Sequence, residues 1–328
     1  MVQVRPWGTA NWLFPKIGTR SWDIVGCASF EERCIALPEW FAAQKMKMNR
    51  AAIFRIADPS NRFTREIEGL TNDREKRISQ ALPRAEVIRS ELLAEVVSWN
   101  DAINNALPDC QSVILDVTAL PKRVFLFLLA RLLAKETLKD LVVCYARAGT
   151  YPEGPLCQDF NPIEAIPSYS RISSKKAETL VVGVGYVGFD IDELIKQVQP
   201  PHLNFLFPFP PGSPAARRNW GLLRKLIPSG LASPIIQRIH AMDMFAAYDW
   251  LCSLGEDVDN CVDMIALGPK PHSIAMGMAY RKLGDNAQIL YAQPRTYRPD
   301  YSVGIGQDVN GDMDIFAYCL RRNGVNYL

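Results

Sequence analysis

The segment DVTALPKR (116–123) combines residue types that can bind a phosphate group. Asp116 lies near the end of an apolar run, VILDV (113–117), that is typical of a buried strand. Thr118 is suited to cap the next helix, and Pro121 suits its first turn because an N–H there would have no intrahelical partner. Lys122 then adds a cation where the helix N-terminus already favours an anion. The segment predicts a phosphate site or, alternatively, a capped helix with a solvated lysine.

A related segment, ALGPKPHS (266–273), follows a later apolar run. Gly268 would let the backbone approach a ligand closely, and Lys270 aligns with Lys122. His272 could contact a base or a phosphate, or it could be an ordinary surface histidine. Other polar residues that follow predicted strands are further candidates for ligand contact: Ser29, Glu31, Asp58, Ser60, Asn61, Arg62, Arg123, Arg147 and Tyr151.

Four landmarks recur in the same order, which predicts an internal duplication. They are a glycine-containing turn, a strand with a proline-bearing turn, the Pro-Lys turn, and the phrase Tyr-Ala-x-x-x-Thr-Tyr. The phrase occurs at Tyr145 to Tyr151 and at Tyr291 to Tyr297. In each copy we expect the first tyrosine in the core and the second in a loop, so Tyr151 and Tyr297 are the better ligand candidates. The alternative is that two α/β domains share only a strand–loop–helix rhythm.

Short apolar runs alternate with amphipathic segments along the chain, as in doubly wound sheets. The segment 66–82, for example, is charged with a few spaced apolar residues and predicts a helix with one solvated face. We therefore predict an α/β protein of two tandem Rossmann-like, doubly wound parallel-sheet domains at 15–160 and 176–322. The proline- and serine-containing segment 155–175 is the predicted linker. Ligands in such sheets bind outside the carboxyl ends of the strands.

Composition excludes several classes of function. The chain has 328 residues and a formal net charge of +2, which gives no reason to expect duplex nucleic acid or a membrane as partner. Three histidines and eight cysteines without a C-x-x-C pair argue against a metal site and favour a reduced, cytoplasmic protein. The longest apolar stretch, 124–134, contains Arg131 and is too short to span a bilayer.

The segment VVGVGYVG contains the pattern G-x-G-x-x-G at Gly183, Gly185 and Gly188. It resembles the opening of nucleotide-sugar dehydrogenases. However, the next apolar run, 203–209, ends in PFPPGS, without the acidic residue that holds a ribose hydroxyl. We therefore expect no NAD or other cofactor, and keep Gly185 as a candidate for ligand approach.

The spacing from Asp116 through Thr118 to Lys122 has the form D-x-[ST]-x-x-x-K. It resembles a loop motif of CARF domains, the Rossmann-like sensors of cyclic oligoadenylates in CRISPR-linked defence. The resemblance implies that this loop ends a strand and faces a two-fold axis. It also implies a second loop with a serine or threonine after the first strand, for which Ser29 is the candidate. The second copy keeps Gly268-Pro-Lys270 but lacks Asp-x-Thr, so the resemblance is weaker there.

Three functions stay open. In the first, the chain is a sensor that binds a cyclic oligonucleotide between two pseudo-symmetric domains and signals through a protein effector partner. In the second, it is a metal-independent, ring-nuclease-like enzyme in which Lys122 or Lys270 stabilises developing charge and Ser29 orients the reacting group. In the third, it is a ligand-free structural or assembly protein. The sequence is compatible with a homodimer and does not decide whether the protein is an enzyme.

Overall fold

The computed structural model describes residues 4–18, 20–185, 195, 198–210, 234–256 and 260–328. The chain divides into two compact units. The first unit comprises Met1–Pro152 and Thr296–Leu328, and the second comprises Glu153–Arg295. Of the sequence patterns described above, Gly188 and the segment 211–218 lie outside the described residues.

The first unit contains an eight-stranded sheet. Its elements up to the boundary are β1 (Trp7–Thr9), α1 (Ala10–Ile17), β2 (Ser21–Ala28), a 3₁₀ turn (Glu32–Ile35), α2 (Ala36–Ala43), β3 (Lys47–Ala57), α3 (Thr64–Ala81), β4 (Ala85–Glu91), α4 (Val96–Ala106), β5 (Ser112–Asp116), α5 (Lys122–Ala134), β6 (Asp140–Ala146) and β7 (Ala148–Thr150).

The second unit is built around a six-stranded sheet. Its elements are β8 (Cys157–Phe160), β9 (Glu164–Ala165), β10 (Thr179–Gly183), β11 (His202–Phe209), β12 (Ile235–His240), α6 (Met244–Leu254), β13 (Val262–Ala266), α7 (Lys270–Leu283) and β14 (Ala287–Tyr291). The strand β15 (Pro294–Tyr297) pairs with β8 and is followed, in the first unit, by β16 (Val303–Ile305), β17 (Ile315–Arg322) and β18 (Val325–Asn326).

Both units have the same order in their parallel strands. In the first unit the order is β6-β5-β2-β3-β4, and in the second it is β14-β13-β10-β11-β12. Numbered within each unit, both read 3-2-1-4-5, the doubly wound Rossmann order. The predicted α/β, Rossmann-like fold class is confirmed. The shared order is compatible with duplication, but unrelated Rossmann-like domains also share it, so the duplication stays a prediction.

The central strands are buried on both faces because they lie between helices. Every residue of β6 is buried, and eight residues of α5 are buried. By contrast, α3 buries only Thr71 and Ile78, which confirms that this segment is a helix with a solvated face.

The segment predicted as a linker packs on the second unit. The Ile166 amide donates to the Ile289 carbonyl, and the Tyr169 ring lies 5.1 Å from the Tyr280 ring. Arg171, itself buried, donates to Asp263 Oδ1 at 2.7 Å. These contacts fix residues 166–171 to the sheet edge and to α7.

Residues 296–322, which the sequence suggested for the second domain, belong to the first unit. There β17 lies antiparallel beside β6, with Ala317 opposite Cys144, and β1 pairs with the other side of β17. An apolar strand such as IFAYCL carries no local signal for its partner, because pairing is decided by contacts far away in sequence. The structural boundaries therefore differ from 15–160 and 176–322 at this end of the chain.

Candidate functional site

The two loops implicated by sequence leave adjacent strands of the first unit. β2 and β5 pair in parallel, with Val25 opposite Leu115, and the strand order reverses between them. Ser29 follows β2, and Asp116 ends β5. Open α/β sheets bind ligands at the carboxyl ends of the strands, at this reversal of order. We refer to this part of the first unit as the switch-point edge.

Asp116 and Thr118 hold their loop together from the inside. Asp116 Oδ1 accepts from the Thr118 amide at 2.9 Å and from the Thr118 hydroxyl. The same hydroxyl accepts from the Ala146 amide at 2.8 Å, which ties the loop to the end of β6. The predicted helix cap by Thr118 is wrong, because Pro121 occupies the N-cap of α5 and no side chain caps the helix. Both polar residues are buried, 3% and 0% exposed, so they shape the loop, and direct ligand contact stays a prediction.

Lys122 and Arg123 are the first two residues of α5, and their side chains have different roles. Lys122 lies on the first turn of the helix, as predicted; it is the first helical residue, after Pro121 at the N-cap, and is partly buried. Arg123 Nη1 donates to the carbonyls of Leu92 and Ala94, each at 3.3 Å, and its guanidinium lies 5.1 Å from the Trp99 ring. Arg123 therefore braces the loop after β4, and a phosphate contact by Lys122 stays a prediction.

The loop after β2 contains a buried charge that the sequence analysis missed. Arg33 is 2% exposed and donates to Glu31 Oε2 from Nε at 2.9 Å and from Nη2 at 2.7 Å. Burial lowers the pKa of Arg33, but the Glu31 carboxylate and the hydroxyls of Tyr151 and Tyr145 outweigh it and raise that pKa well above its usual value. Glu31, predicted to bind ligand, is thus the partner of an internal cation. A Glu-x-Arg pair flanked by the apolar Phe30 and Cys34-Ile35 was the available signal.

Asp58 follows β3 on the same edge and is partly buried. Burial raises the pKa of its carboxyl to about 7. Asn61, three residues further on, uses its side chain internally, because Oδ1 accepts from the Phe63 amide at 2.8 Å. Ser60 and Arg62 are exposed in this loop.

Arg147, beyond β6, is engaged by the C-terminal part of the chain. Its Nε lies 2.8 Å from Asp314 Oδ2, and its Nη2 donates to the Gln307 carbonyl at 3.2 Å. The contacts leave about half of the Arg147 side chain exposed at the surface.

The repeated tyrosines are confirmed in part. Tyr145 and Tyr291 are buried, as expected for the first tyrosine of each phrase. Tyr151 lies in a loop, with its ring 6.0 Å from the Arg33 guanidinium, whereas Tyr297 is the last residue of β15. Tyr297 falls in the first unit, and its ring centroid lies 6.4 Å from that of Phe30. Both second tyrosines therefore lie near the loop after β2 rather than one in each unit.

The glycines of the second unit serve contacts within the protein. A Cβ added to Gly185 would lie 2.0 Å from the Leu267 carbonyl oxygen, and one added to Gly268 would lie 3.2 Å from the Val184 carbonyl oxygen. The loops after β10 and β13 thus pack backbone against backbone at the corresponding reversal of strand order. The predicted close approach occurs, but the approaching backbone is the protein's own.

Lys270 and His272 begin α7 and differ in exposure. Lys270 is the first residue of the helix after Pro269, matching Lys122 after Pro121 in the first unit. His272 is completely buried, and its Nε2 donates to the His240 carbonyl at 3.1 Å, since a carbonyl can only accept. The expectation of a surface histidine is wrong, and no exposed ring atom supports its contact with a base or phosphate.

The similarity that comparisons find between this chain and known proteins lies among solved structures. No family model and no curated protein sequence matches the chain. Among solved structures, a type III CRISPR defence DNA nuclease activated by cyclic oligoadenylate is similar, with a TM-score of 0.48 and 9% sequence identity. The match covers 83% of this chain and 65% of that nuclease, so the chain spans less than two thirds of its length.

The described residues contain neither a membrane-spanning helix nor a metal-binding cluster. No helix within the described ranges is long and apolar enough to cross a membrane. Among those same residues, no group of three or more His, Cys, Asp or Glu side chains is placed to hold a metal ion. None of the eight cysteines, all within the described ranges, belongs to a disulfide, and seven of them are buried.

Proposed function

We propose that this protein is a nucleotide-binding sensor that holds a cyclic oligonucleotide, or a similar phosphate-rich ligand, at the switch-point edge of the first unit. The observation that carries the proposal is the placement of Ser29 and of the loop from Asp116 to Lys122 on the two strands where the order reverses.

The loop from Asp116 to Lys122 is organised before any ligand arrives. Its buried Asp116–Thr118 bonds and the Ala146 amide fix the start of α5, and with it the position of Lys122. A helix N-terminus with a lysine on its first turn attracts anions, and a fixed site loses little conformational entropy on binding. Phosphate is the anion that suits such a site.

Aromatic rings beside Ser29 suit the bases of the same ligand. Phe30 follows Ser29 directly, and the centroid of the Tyr297 ring lies 6.4 Å from that of Phe30 and 5.8 Å from that of Tyr301. All three residues are only partly buried. Stacking of a base on an aromatic ring contributes about 1–3 kcal/mol per base.

A role in prokaryotic defence follows from the resemblance of this loop to CARF domains. A sensor of that kind acts through an effector, so we also propose a protein partner that reads the bound state. Cleavage of the ligand is the competing function, and the same experiment measures it.

The test uses the full chain with cyclic tri-, tetra- and hexa-adenylate and with linear tetra-adenylate. Thermal shift reports binding, and chromatography of the nucleotide reports cleavage. We expect stabilisation without turnover for at least one cyclic species. Stabilisation with turnover would replace the sensor by the enzyme, and no shift with any nucleotide would overturn both.

Lysine variants locate the site. Lys122→Ala should weaken binding about ten- to a hundredfold, because it removes a charge-assisted contact to phosphate. The matched control is Lys139, which is exposed just before β6, at the end of the strands opposite to the switch-point edge. Lys139→Ala should leave binding unchanged. Lys270→Ala asks whether the second unit contributes. Equal binding by the wild type and Lys122→Ala would remove the site from the switch-point edge.

A further inference from the structure

The buried carboxylate of Glu31 joins the loop after β2 to the segment 296–306, which we call the return segment, because it accepts a hydrogen bond from Ser302 as well as from Arg33. We propose that Glu31, Arg33 and Ser302 form a latch that makes the Ser29 loop and the return segment one cooperative element. We extend this proposal on the basis of the proposed function: if a ligand binds at Ser29, the latch couples that binding to the ordering of the return segment.

The latch centres on a single carboxylate oxygen. Glu31 Oε2 accepts from Ser302 Oγ at 2.6 Å, from Arg33 Nε at 2.9 Å and from Arg33 Nη2 at 2.7 Å. All three residues are buried. Charge-assisted hydrogen bonds of this length are about twice as strong as neutral ones, so Ser302 is held firmly.

Arg33 extends the latch to a third part of the chain. Its Nη1 donates to the Tyr145 hydroxyl at 3.0 Å and to the Ala146 carbonyl at 3.4 Å, and its guanidinium lies 5.5 Å from the Tyr145 ring. One cation therefore joins the loop after β2, the end of β6 and, through Glu31, the return segment.

Ser29 is directly connected to the latch. Ser29 Oγ accepts from the Glu31 amide at 3.4 Å, and the Ser29 carbonyl accepts from Cys34 Sγ at 3.4 Å. Because the hydroxyl is an acceptor in this bond, its proton can be directed to a ligand oxygen. A displacement of Glu31 changes the position of Ser29, which is the physical basis of the coupling.

The return segment makes further contacts directly after Ser302. Val303 and Ile305 pair with Thr150 and Ala148, so β16 forms a short ladder with β7. Stability alone is a poor explanation for this arrangement, because replacing a buried ion pair by apolar residues is often neutral or stabilising. The polar cluster instead joins segments distant in sequence at the edge where we place the ligand.

The first test needs no ligand and follows amide hydrogen exchange in the full chain. Ser302→Ala should speed exchange about ten- to a hundredfold both in 303–305 and in 29–34, because it removes a hydrogen bond to a charged group. Ser302→Thr should restore slow exchange. The control is Ser112→Ala, since Ser112 Oγ donates to Asp140 Oδ2 at 2.7 Å at the opposite edge of the sheet.

The two outcomes separate clearly. Faster exchange in both segments for Ser302→Ala, but in neither for Ser112→Ala, supports the latch. Faster exchange in 303–305 alone would reduce Ser302 to a local contact and overturn the proposal, as would equal effects of the two alanine variants.

The second test adds cyclic tetra-adenylate or cyclic hexa-adenylate. Binding at Ser29 should slow exchange in 303–305 of the wild type, and Ser302→Ala should weaken binding, since coupling between two events is reciprocal. Binding with no change in 303–305 would reject the coupling. If neither nucleotide binds the wild type, the proposed function fails, while the exchange data without ligand still decide on the latch.

Discussion

Replacing Gly185 with alanine tests why the second unit has a glycine at this turn. The new Cβ would lie 2.0 Å from the Leu267 carbonyl oxygen and 3.2 Å from the Gly268 Cα. Both atoms belong to backbone, so no side-chain rotation can relieve the clash, and one loop must move by about 1 Å or more. Overpacking that side chains can absorb costs about 1–3 kcal/mol. We expect Gly185→Ala to lower the free energy of unfolding of the second unit by about 3 kcal/mol or more.

Gly69→Ala is a control for which we expect the opposite change, a gain in the free energy of unfolding. It lies in α3, and a Cβ there would meet nothing within 4 Å. Because alanine is the better helix former, Gly69→Ala should stabilise the first unit by about 0.5–1 kcal/mol. Amide hydrogen exchange measured across a urea series reports the two units separately, through β10 and β13 in one and β2 and β5 in the other.

The result also decides between two explanations of the G-x-G turn. If the glycine existed for a dinucleotide, Gly185→Ala would keep its stability and lose only ligand binding. A change in free energy of unfolding below about 0.5 kcal/mol would refute the backbone packing of these two loops.

Three further changes test the first unit. Burial raises the pKa of Asp58, so ionisation of its carboxyl opposes folding and the free energy of unfolding of the wild type should fall as the pH rises from about 4 to about 7. Asp58→Asn has no ionisable group there and should make this decrease smaller. The full shift corresponds to about 4 kcal/mol, and partial exposure reduces our expectation to about 1–2 kcal/mol, measured by urea unfolding at several pH values. Arg321→Ala should lower the free energy of unfolding of the first unit by about 2–4 kcal/mol in chemical denaturation, since Arg321 donates to three carbonyls at and beyond the end of α5. Arg321→Lys should recover only part of that stability, because lysine lacks the planar set of donors. Thr118→Val should cost about 2–4 kcal/mol by the same assay, because it removes the hydroxyl that bonds Asp116 and the Ala146 amide, whereas equal stability would show that the hydroxyl is dispensable.

Local sequence patterns were sufficient for the central strands, for α3 and α5, and for the edge where the candidate site lies. Buried runs with β-branched residues predicted the central strands, and the Pro-Lys turn predicted the start of α5 at Lys122. Since parallel strands end on one side of a sheet, Ser29, Asp58 and Asp116 were expected on one edge, and the strand pairing agrees.

The contacts that local patterns could not predict are long-range ones. Nothing in the residues around Tyr297 indicates that it packs near Phe30 rather than in the second unit. Arg33 carries a charge, which in isolation predicts exposure, yet Glu31 and the tyrosine rings allow its burial. His272 was similarly misjudged, because the His240 carbonyl, which is distant in sequence, accepts a hydrogen bond from its ring.

The nested order of the two units has a consequence for synthesis of the chain on the ribosome. β6 is complete at Ala146, but its antiparallel neighbour β17 begins only at Ile315, after the whole second unit. At about 5–20 residues per second, the edge of β6 waits roughly 8–35 s for its partner. During that interval the second unit can finish folding while the first still presents an unpaired, apolar strand, the feature that most invites aggregation. The C-terminal strand therefore sets when the nascent first unit becomes safe from self-association.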